Sequence, residues 1–181
     1  MKSINKPRKI GQGCFTSAYR LVDGTVKLVS CDYIKECMSL GWFPEHRLFP
    51  VIFRTSFGEN GYQEYQMKYY NRPKSLKTEL YSGDYRLYKL LRKLKDIPPI
   101  SRFSSDIWIN RFSSLPDEFK HEREALLGAV DACSNYGNDV AFEISPRNVG
   151  VYRQRLVLLD CFFLKSQLME WRKKITTKKK G

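Results

Sequence analysis

Three segments of the sequence carry residues whose types and spacing suit phosphate and metal chemistry. The first is IGQGCFTSAY, residues 10–19, in which Gly11 and Gly13 are two positions apart. Glycines have no Cβ, so backbone N–H groups next to them can approach a phosphate closely. An ordinary hairpin turn is the alternative interpretation of the same glycines.

The second segment is the predicted strand TVKLV, which contains Lys27. A lysine there can reach the phosphates of a nucleotide held beneath the first segment. Lys27 alternates with the apolar residues Val26 and Leu28, as residues of any half-buried strand do. An exposed strand lysine is therefore the alternative.

The third segment runs from Phe142 to Phe162. Glu143 stands five positions before Asn148, and Asn148 stands twelve before Asp160, which follows an apolar strand. Amide and carboxylate oxygens suit magnesium, and a carboxylate just before the Asn could orient or deprotonate an attacking hydroxyl. In the alternative interpretation, Asn148 forms a turn and Asp160 merely ends a strand.

Sequence periodicity predicts the elements that position these segments. Alternation and β-branched or aromatic content predict strands in the first third of the chain, and a 3.6-residue period predicts helices in the rest. Strands are predicted at 14–21, 25–29, 51–57, 62–70, 140–142 and 156–159, and helices at 33–40, 82–94, 119–133 and 164–176. Asp32 is predicted to cap the first of these helices, and Gly41 to end it. The Pro- and Ser-containing stretch 96–114 matches neither period.

Composition narrows the environment and the partners. Among 181 residues, 32 Lys and Arg oppose 19 Asp and Glu, giving a net charge of +13 that attracts nucleotides, nucleic acid, acidic proteins or membrane headgroups. The five cysteines lack CxxC spacing and the two histidines are far apart, which argues against a disulfide framework or a zinc site and favours a reducing cytosol. No apolar run approaches the roughly 20 residues that span a bilayer, so no membrane partner is expected.

In their order, the three segments resemble the signature motifs of protein kinases, and most closely the early serine/threonine kinases of short-tailed lytic bacteriophages. GQGCFTSAY is similar to the glycine loop of those kinases, and EISPRN and VLLDC are similar to their catalytic segment. The resemblance covers about residues 8–70 and 115–166. It implies a single α+β domain with a minimal kinase-like two-lobe fold: a β-rich N-lobe over about 1–70, a reduced helical C-lobe over 71–176 without an activation segment, and a basic tail at 177–181.

ATP and Mg²⁺ are the cofactors that the resemblance implies. The glycine loop would cover the phosphates, Lys27 would clamp them, and Glu36 would pair with Lys27. The implied cofactor-binding residues are Gly11, Gln12, Gly13, Cys14, Phe15, Thr16, Ser17, Ala18, Lys27, Glu36, Tyr69, Tyr70 and Asn71.

The catalytic set that the resemblance implies consists of Glu143, Lys27, Asn148 and Asp160. Glu143 would be the base, and Asn148 and Asp160 would bind the magnesium. The chain departs from the kinase pattern, since Thr16 replaces the third loop glycine and a Glu occupies the position of the catalytic Asp. Only 21 residues follow Asp160, which leaves no room for an activation segment.

The resemblance implies phosphoryl transfer to Ser or Thr of host proteins, and to the chain itself, in the cytoplasm of an infected host cell. A pseudokinase that binds and inhibits or redirects a host protein without catalysis is the main alternative. A kinase of small molecules and a charge-driven nucleic-acid binder are further alternatives, and the last does not explain the ordered catalytic residues.

Overall fold

Alternating apolar residues build a five-stranded antiparallel sheet from the first part of the chain. The computed structural model describes residues 7–58, 61–94 and 104–178, so residues 179–181 of the predicted tail lie outside it. The strand order is β1-β2-β3-β5-β4. The strands are β1 (Arg8–Gln12), β2 (Thr16–Arg20), β3 (Val26–Ser30), β4 (Ile52–Phe57) and β5 (Gln63–Met67).

A short helix, α1 (Tyr33–Ser39), follows β3 and crosses from the sheet to the helical part of the protein. Asp32 caps its first turn by accepting a hydrogen bond from the Ile34 N–H at 2.9 Å. Gly41 follows the helix with φ of +75°, a conformation that glycine adopts without strain. Both the cap and the end of this helix were predicted from the sequence.

Helices form most of the second part of the chain. Three of them, α3, α5 and α6, confirm predicted helices, whereas α4 forms in the stretch that had no clear period. The helices are α2 (Leu76–Glu79), α3 (Ser82–Lys93), α4 (Ser104–Ser113), α5 (Lys120–Ser134) and α6 (Lys165–Lys178). None of the helices in the described ranges is both long and apolar enough to cross a bilayer.

Two small antiparallel ladders carry the third chemistry-bearing segment. The predicted strands β6 (Val140–Phe142) and β8 (Arg155–Leu158) are present, and each gains a partner that the sequence did not predict. β8 pairs with β7 (Val149–Tyr152) and β6 with β9 (Phe162–Leu164). Asp160 lies in the short connection between β8 and β9.

The sheet and the second part of the chain are joined by backbone hydrogen bonds as well as by packing. The Asn71 N–H donates to the Val151 carbonyl at 3.2 Å, and the Val151 N–H donates back to the Asn71 carbonyl at 2.9 Å. The Leu158 N–H donates to the Leu48 carbonyl at 2.7 Å. These bonds fix the β7–β8 hairpin, and with it Asp160, against the linker that follows β5.

Aromatic rings in edge-to-face contact fill the interior between β6, β9 and α4. Phe142 and Phe162 lie 5.0 Å apart between ring centroids, and Phe112 lies edge-on to Phe142 at 5.1 Å. Edge-to-face aromatic pairs of this kind add about 0.5–1.5 kcal/mol beyond their buried area. The cluster therefore packs β6 against β9, the two strands that flank residues 143–161.

Candidate functional site

The glycine-containing turn between β1 and β2 lies next to Asp160. The Gly13 N–H donates to the Thr16 carbonyl at 2.8 Å, which closes the turn. A Cβ on Gly13 would lie 3.7 Å from Oδ2 of Asp160. Sequence analysis predicted a cleft between these glycines and Asp160, and a cavity of about 320 Å³ lies there.

The predicted loop residues divide between two adjoining cavities. Gly11, Gln12, Gly13, Thr16 and Ala18 line the larger cavity, and Cys14, Phe15 and Thr16 line a smaller one of about 150 Å³. Thr16, Asn148 and Asp160 are common to both. Of the predicted loop residues, Ser17 lines neither.

The predicted position of Lys27 in the cleft is wrong. β3 turns Val26 and Leu28 inward, and Leu28 lines the larger cavity. Because side chains alternate along a strand, Lys27 lies on the outer face. There its Nζ forms an ion pair with Oε1 of Glu64 at 2.5 Å.

Lys35, on α1, supplies the amine that Lys27 does not. Its side chain is only 4% exposed, and Nζ donates to Oδ1 of Asp160 at 2.9 Å and to the Leu159 carbonyl at 2.7 Å. Burial opposes the charged amine, but the carboxylates of Asp160 and Asp32 outweigh it and raise the pKa of Lys35. The amine is therefore a fixed cation at the floor of the cleft.

The predicted pairing of Glu36 with Lys27 is also absent from the structure. Glu36 instead accepts from Nη1 of Arg54 at 3.5 Å and from the Gln63 side chain at the same distance. One turn of α1 thus presents Lys35 to the cleft and Glu36 to the sheet edge. Lys35 shares its buried face with Ile34, Cys37 and Met38, and a cation among apolar helix positions is the signal that could have identified it.

Backbone hydrogen bonds bring Glu143, Asn148 and Asp160 together. The Asn148 carbonyl accepts from the N–H groups of Leu159 at 2.9 Å and Asp160 at 3.2 Å. The Glu143 N–H donates to the Cys161 carbonyl at 2.8 Å. These three predicted site residues line one cavity, in which the carboxylate of Glu143 is exposed to solvent.

Asp32 lies beneath this group, and its carboxyl is buried. Burial raises the pKa of Asp32 to about 6, with Lys35 opposing the rise and Asp160 adding to it. The floor of the cleft therefore holds one lysine against two carboxylates. Sequence analysis identified Asp32 only as a helix cap.

Asp32→Asn should make folding less sensitive to pH. A carboxyl whose pKa is higher in the folded than in the unfolded state favours folding below about pH 4, and this contribution is lost as the pH rises to about 6. Asn keeps the cap but cannot ionise. Relative to the wild type, the variant should gain up to about 2 kcal/mol of unfolding free energy between pH 4.5 and 7.5.

Urea unfolding at both pH values measures this change. Asp131→Asn, an exposed position on α5, removes the same charge and corrects for the net charge of the protein. Parallel pH profiles for Asp32→Asn and the wild type would contradict the assignment.

A third cavity adjoins the larger one on the side of the linker after β5. Its volume of about 360 Å³ slightly exceeds that of the larger of the first two cavities, with which it shares Ala18, Met67, Arg72 and Leu159. The predicted residues Tyr69 and Tyr70 line it, and the Arg20 guanidinium lies 4.2 Å from the Tyr69 ring centroid. Asn71 does not line it and is held by its two backbone bonds to Val151.

The side-chain oxygens at Asp160 and Asn148 fit a magnesium ion that takes most of its remaining ligands from water or phosphate. Across the described ranges, there is no cluster of three or more His, Cys, Asp or Glu residues that could hold a metal ion. Lys35 occupies Oδ1 of Asp160, and Oδ2 faces the glycine turn beside Asn148. One carboxylate with an amide neighbour is the sparse protein contribution typical of magnesium–nucleotide sites.

Comparison with known proteins adds no assignment. No protein-family model matches the sequence, and no curated protein aligns with it significantly.

Proposed function

We propose that the chain is an ATP- and magnesium-dependent phosphotransferase that modifies Ser and Thr hydroxyls of host proteins, and its own, during phage infection. The observation that carries the proposal is the ion pair between buried Lys35 and Asp160 beneath the glycine turn. A carboxylate fixed in this way under a phosphate-sized cleft suits a reaction that depends on positioning and charge neutralisation. The choice of protein substrates rests on the resemblance to phage kinases.

The proposal includes a minimal kinase-like arrangement of two lobes. The five-stranded sheet with α1 would be the N-lobe, and the helices with the two small ladders would be the C-lobe. Three adjoining cavities between these parts support this division. In it, the adenine would occupy the cavity lined by Met67 and Tyr69, and the phosphates would lie under the glycine turn.

Asn148 and Asp160 would hold the magnesium, which when bound offsets the charge of the transferring phosphoryl group. Lys35 holds the Asp160 carboxylate in its orientation. Its bond to the Leu159 carbonyl fixes the amine independently of the ligand. Phe162 and Leu168 line the smaller cavity and would form an apolar wall beside the place where an acceptor hydroxyl would lie.

Glu143→Gln should lower the rate of phosphoryl transfer by about 100-fold, the low end of the range for general bases, because this carboxylate is exposed. Glu143 lines the smaller cavity with Asp160, where it would accept the proton of the attacking hydroxyl. ATP affinity should change less than about twofold, since the residue does not line the larger cavity. Glu143→Asp, which keeps a carboxylate, is the matched control and should retain more activity than Gln. Equal rates for Gln and the wild type would exclude Glu143 as the base.

Transfer of labelled phosphate from ATP tests the proposal directly. The wild type is incubated with host lysate and radioactive ATP, with and without magnesium, and products are separated on a gel. We expect labelled Ser- or Thr-containing bands, including the chain itself, only with magnesium. A chain that transfers label to nothing under either condition is not the proposed enzyme.

A non-catalytic nucleotide-binding protein is the second candidate, because α6 restricts the acceptor side. Trp171 packs edge-on against Phe15 of the glycine turn at 6.2 Å, and Leu168 lines the smaller cavity. That cavity, of about 150 Å³, leaves little room for a peptide chain. ATP binding without transfer by the wild type would favour this candidate.

A further inference from the structure

Two arginines that line the larger cavity together with Lys35 have no ion-pair or hydrogen-bond partner among the residues that the structure describes. Arg72 follows the linker after β5, and Arg147 precedes Asn148. Within residues 7–58, 61–94 and 104–178, neither guanidinium has a hydrogen-bond acceptor or an acidic partner, whereas about half of the other arginines there do. Both side chains are exposed to the cavity rather than buried against protein.

Arg72 is directed towards the glycine turn. Its Nη2 lies 2.7 Å from the position that a Cβ on Gly11 would occupy. The guanidinium therefore fills the space that a side chain on residue 11 would occupy. An unpaired cation held against a glycine in an open cleft is placed to meet an anion.

The charge balance of the cleft also indicates that Arg72 and Arg147 are placed to bind an anion. Lys35 is already bonded to Asp160 and lies within electrostatic reach of Asp32, so the floor carries two carboxylates for one amine. An ATP polyphosphate would be repelled by this floor unless bound magnesium and cationic side chains offset the charge. Arg72 and Arg147 are the cations that line the cavity without such neutralisation.

We infer that Arg72, seated against Gly11, recognises the polyphosphate of a nucleoside triphosphate, with Arg147 as a second phosphate contact. The planar guanidinium donates two parallel N–H bonds to phosphate oxygens, which a lysine cannot do. This inference rests on the proposed nucleotide site but not on catalysis. It assigns phosphate recognition to residues other than Lys27.

Calorimetric titration of the full chain with ATP and with AMP, in the presence of magnesium, tests the inference. Arg72→Gln should weaken ATP binding by about 10- to 100-fold, as expected for the loss of a charge-assisted contact, and AMP binding by much less. Arg92→Gln, an exposed position on α3 outside all the cavities described, removes the same charge and should leave both affinities unchanged within about twofold.

Gly11→Ala provides an independent route to the same effect. The added Cβ must displace the mobile end of Arg72, at little cost in stability because that end is flexible. The single variant should weaken ATP binding, and the Gly11→Ala/Arg72→Gln double variant should be no weaker than the worse single variant. Additive losses would show that Gly11 acts independently of Arg72.

The outcomes separate this inference from the proposed function. Wild-type ATP binding that Arg72→Gln leaves intact overturns the inference, even if phosphate transfer is observed. Binding that depends on Arg72 without any transfer supports the inference and contradicts the proposed reaction. Absence of ATP binding by the wild type overturns both.

Discussion

Asp160→Asn is expected to lower phosphoryl transfer by about 1,000-fold while the chain stays folded. Asn retains an oxygen that accepts from Lys35, so the hydrogen bond at Oδ1 survives. It removes the carboxylate charge that lies next to Gly13 of the glycine turn. Loss of this charge from a metal site is worth several kcal/mol of transition-state stabilisation, and about 4 kcal/mol corresponds to the expected factor.

Single-turnover rates with labelled ATP measure the loss, and a circular dichroism spectrum with a melting curve verifies the fold. Asp131→Asn, on the exposed side of α5, is the charge-matched control and should keep the wild-type rate. An Asp160→Asn variant within tenfold of the wild type would mean that Asp160 does not hold the metal.

Lys35→Met should both destabilise the protein and abolish transfer. The buried amine compensates Asp160 and Asp32, and removing one partner of a buried pair typically costs about 3–5 kcal/mol. Because the Asp160 side chain is 47% exposed, we expect about 2–4 kcal/mol here. Transfer should fall below detection, since the Asp160 carboxylate loses the cation that orients it.

Lys27→Met is the matched control, since it removes the same charge from the strand on which sequence analysis expected the essential lysine. Its ion pair with Glu64 is on the outer face of the sheet, so unfolding free energy should change by less than about 1 kcal/mol and transfer should persist. Urea unfolding and the transfer assay on both variants decide between the two lysines. Loss of transfer in Lys27→Met with retention in Lys35→Met would reverse the assignment.

The identity of the cleft lysine illustrates what the sequence can and cannot predict. The strand around Lys27 was predicted correctly, and its alternation with Val26 and Leu28 already indicated that Lys27 faces away from them. The kinase resemblance led instead to a position in the cleft. Local periodicity was the better guide to which side of the strand each residue occupies.

The contact between Lys35 and Asp160 could not be predicted in this way. The two residues are 125 positions apart, and no local period reports a contact over that distance. Helix α4 was missed for a different reason, because its segment of Pro, Ser and aromatic residues has no clean amphipathic pattern. By contrast, α1 and α5 carry caps or acidic first turns that mark their starts.

The reciprocal bonds between Asn71 and Val151 affect how the cleft can open. A linker between two parts of a protein usually bends freely, but this one is tied to the edge of the β7–β8 hairpin by a β-bridge between Asn71 and Val151. Bending at Asn71 would therefore tilt that hairpin and carry Asp160 with it. A ligand that orders the Tyr69–Tyr70 end of the cleft thus restrains the Asp160 end mechanically, through a backbone ladder about four residues long.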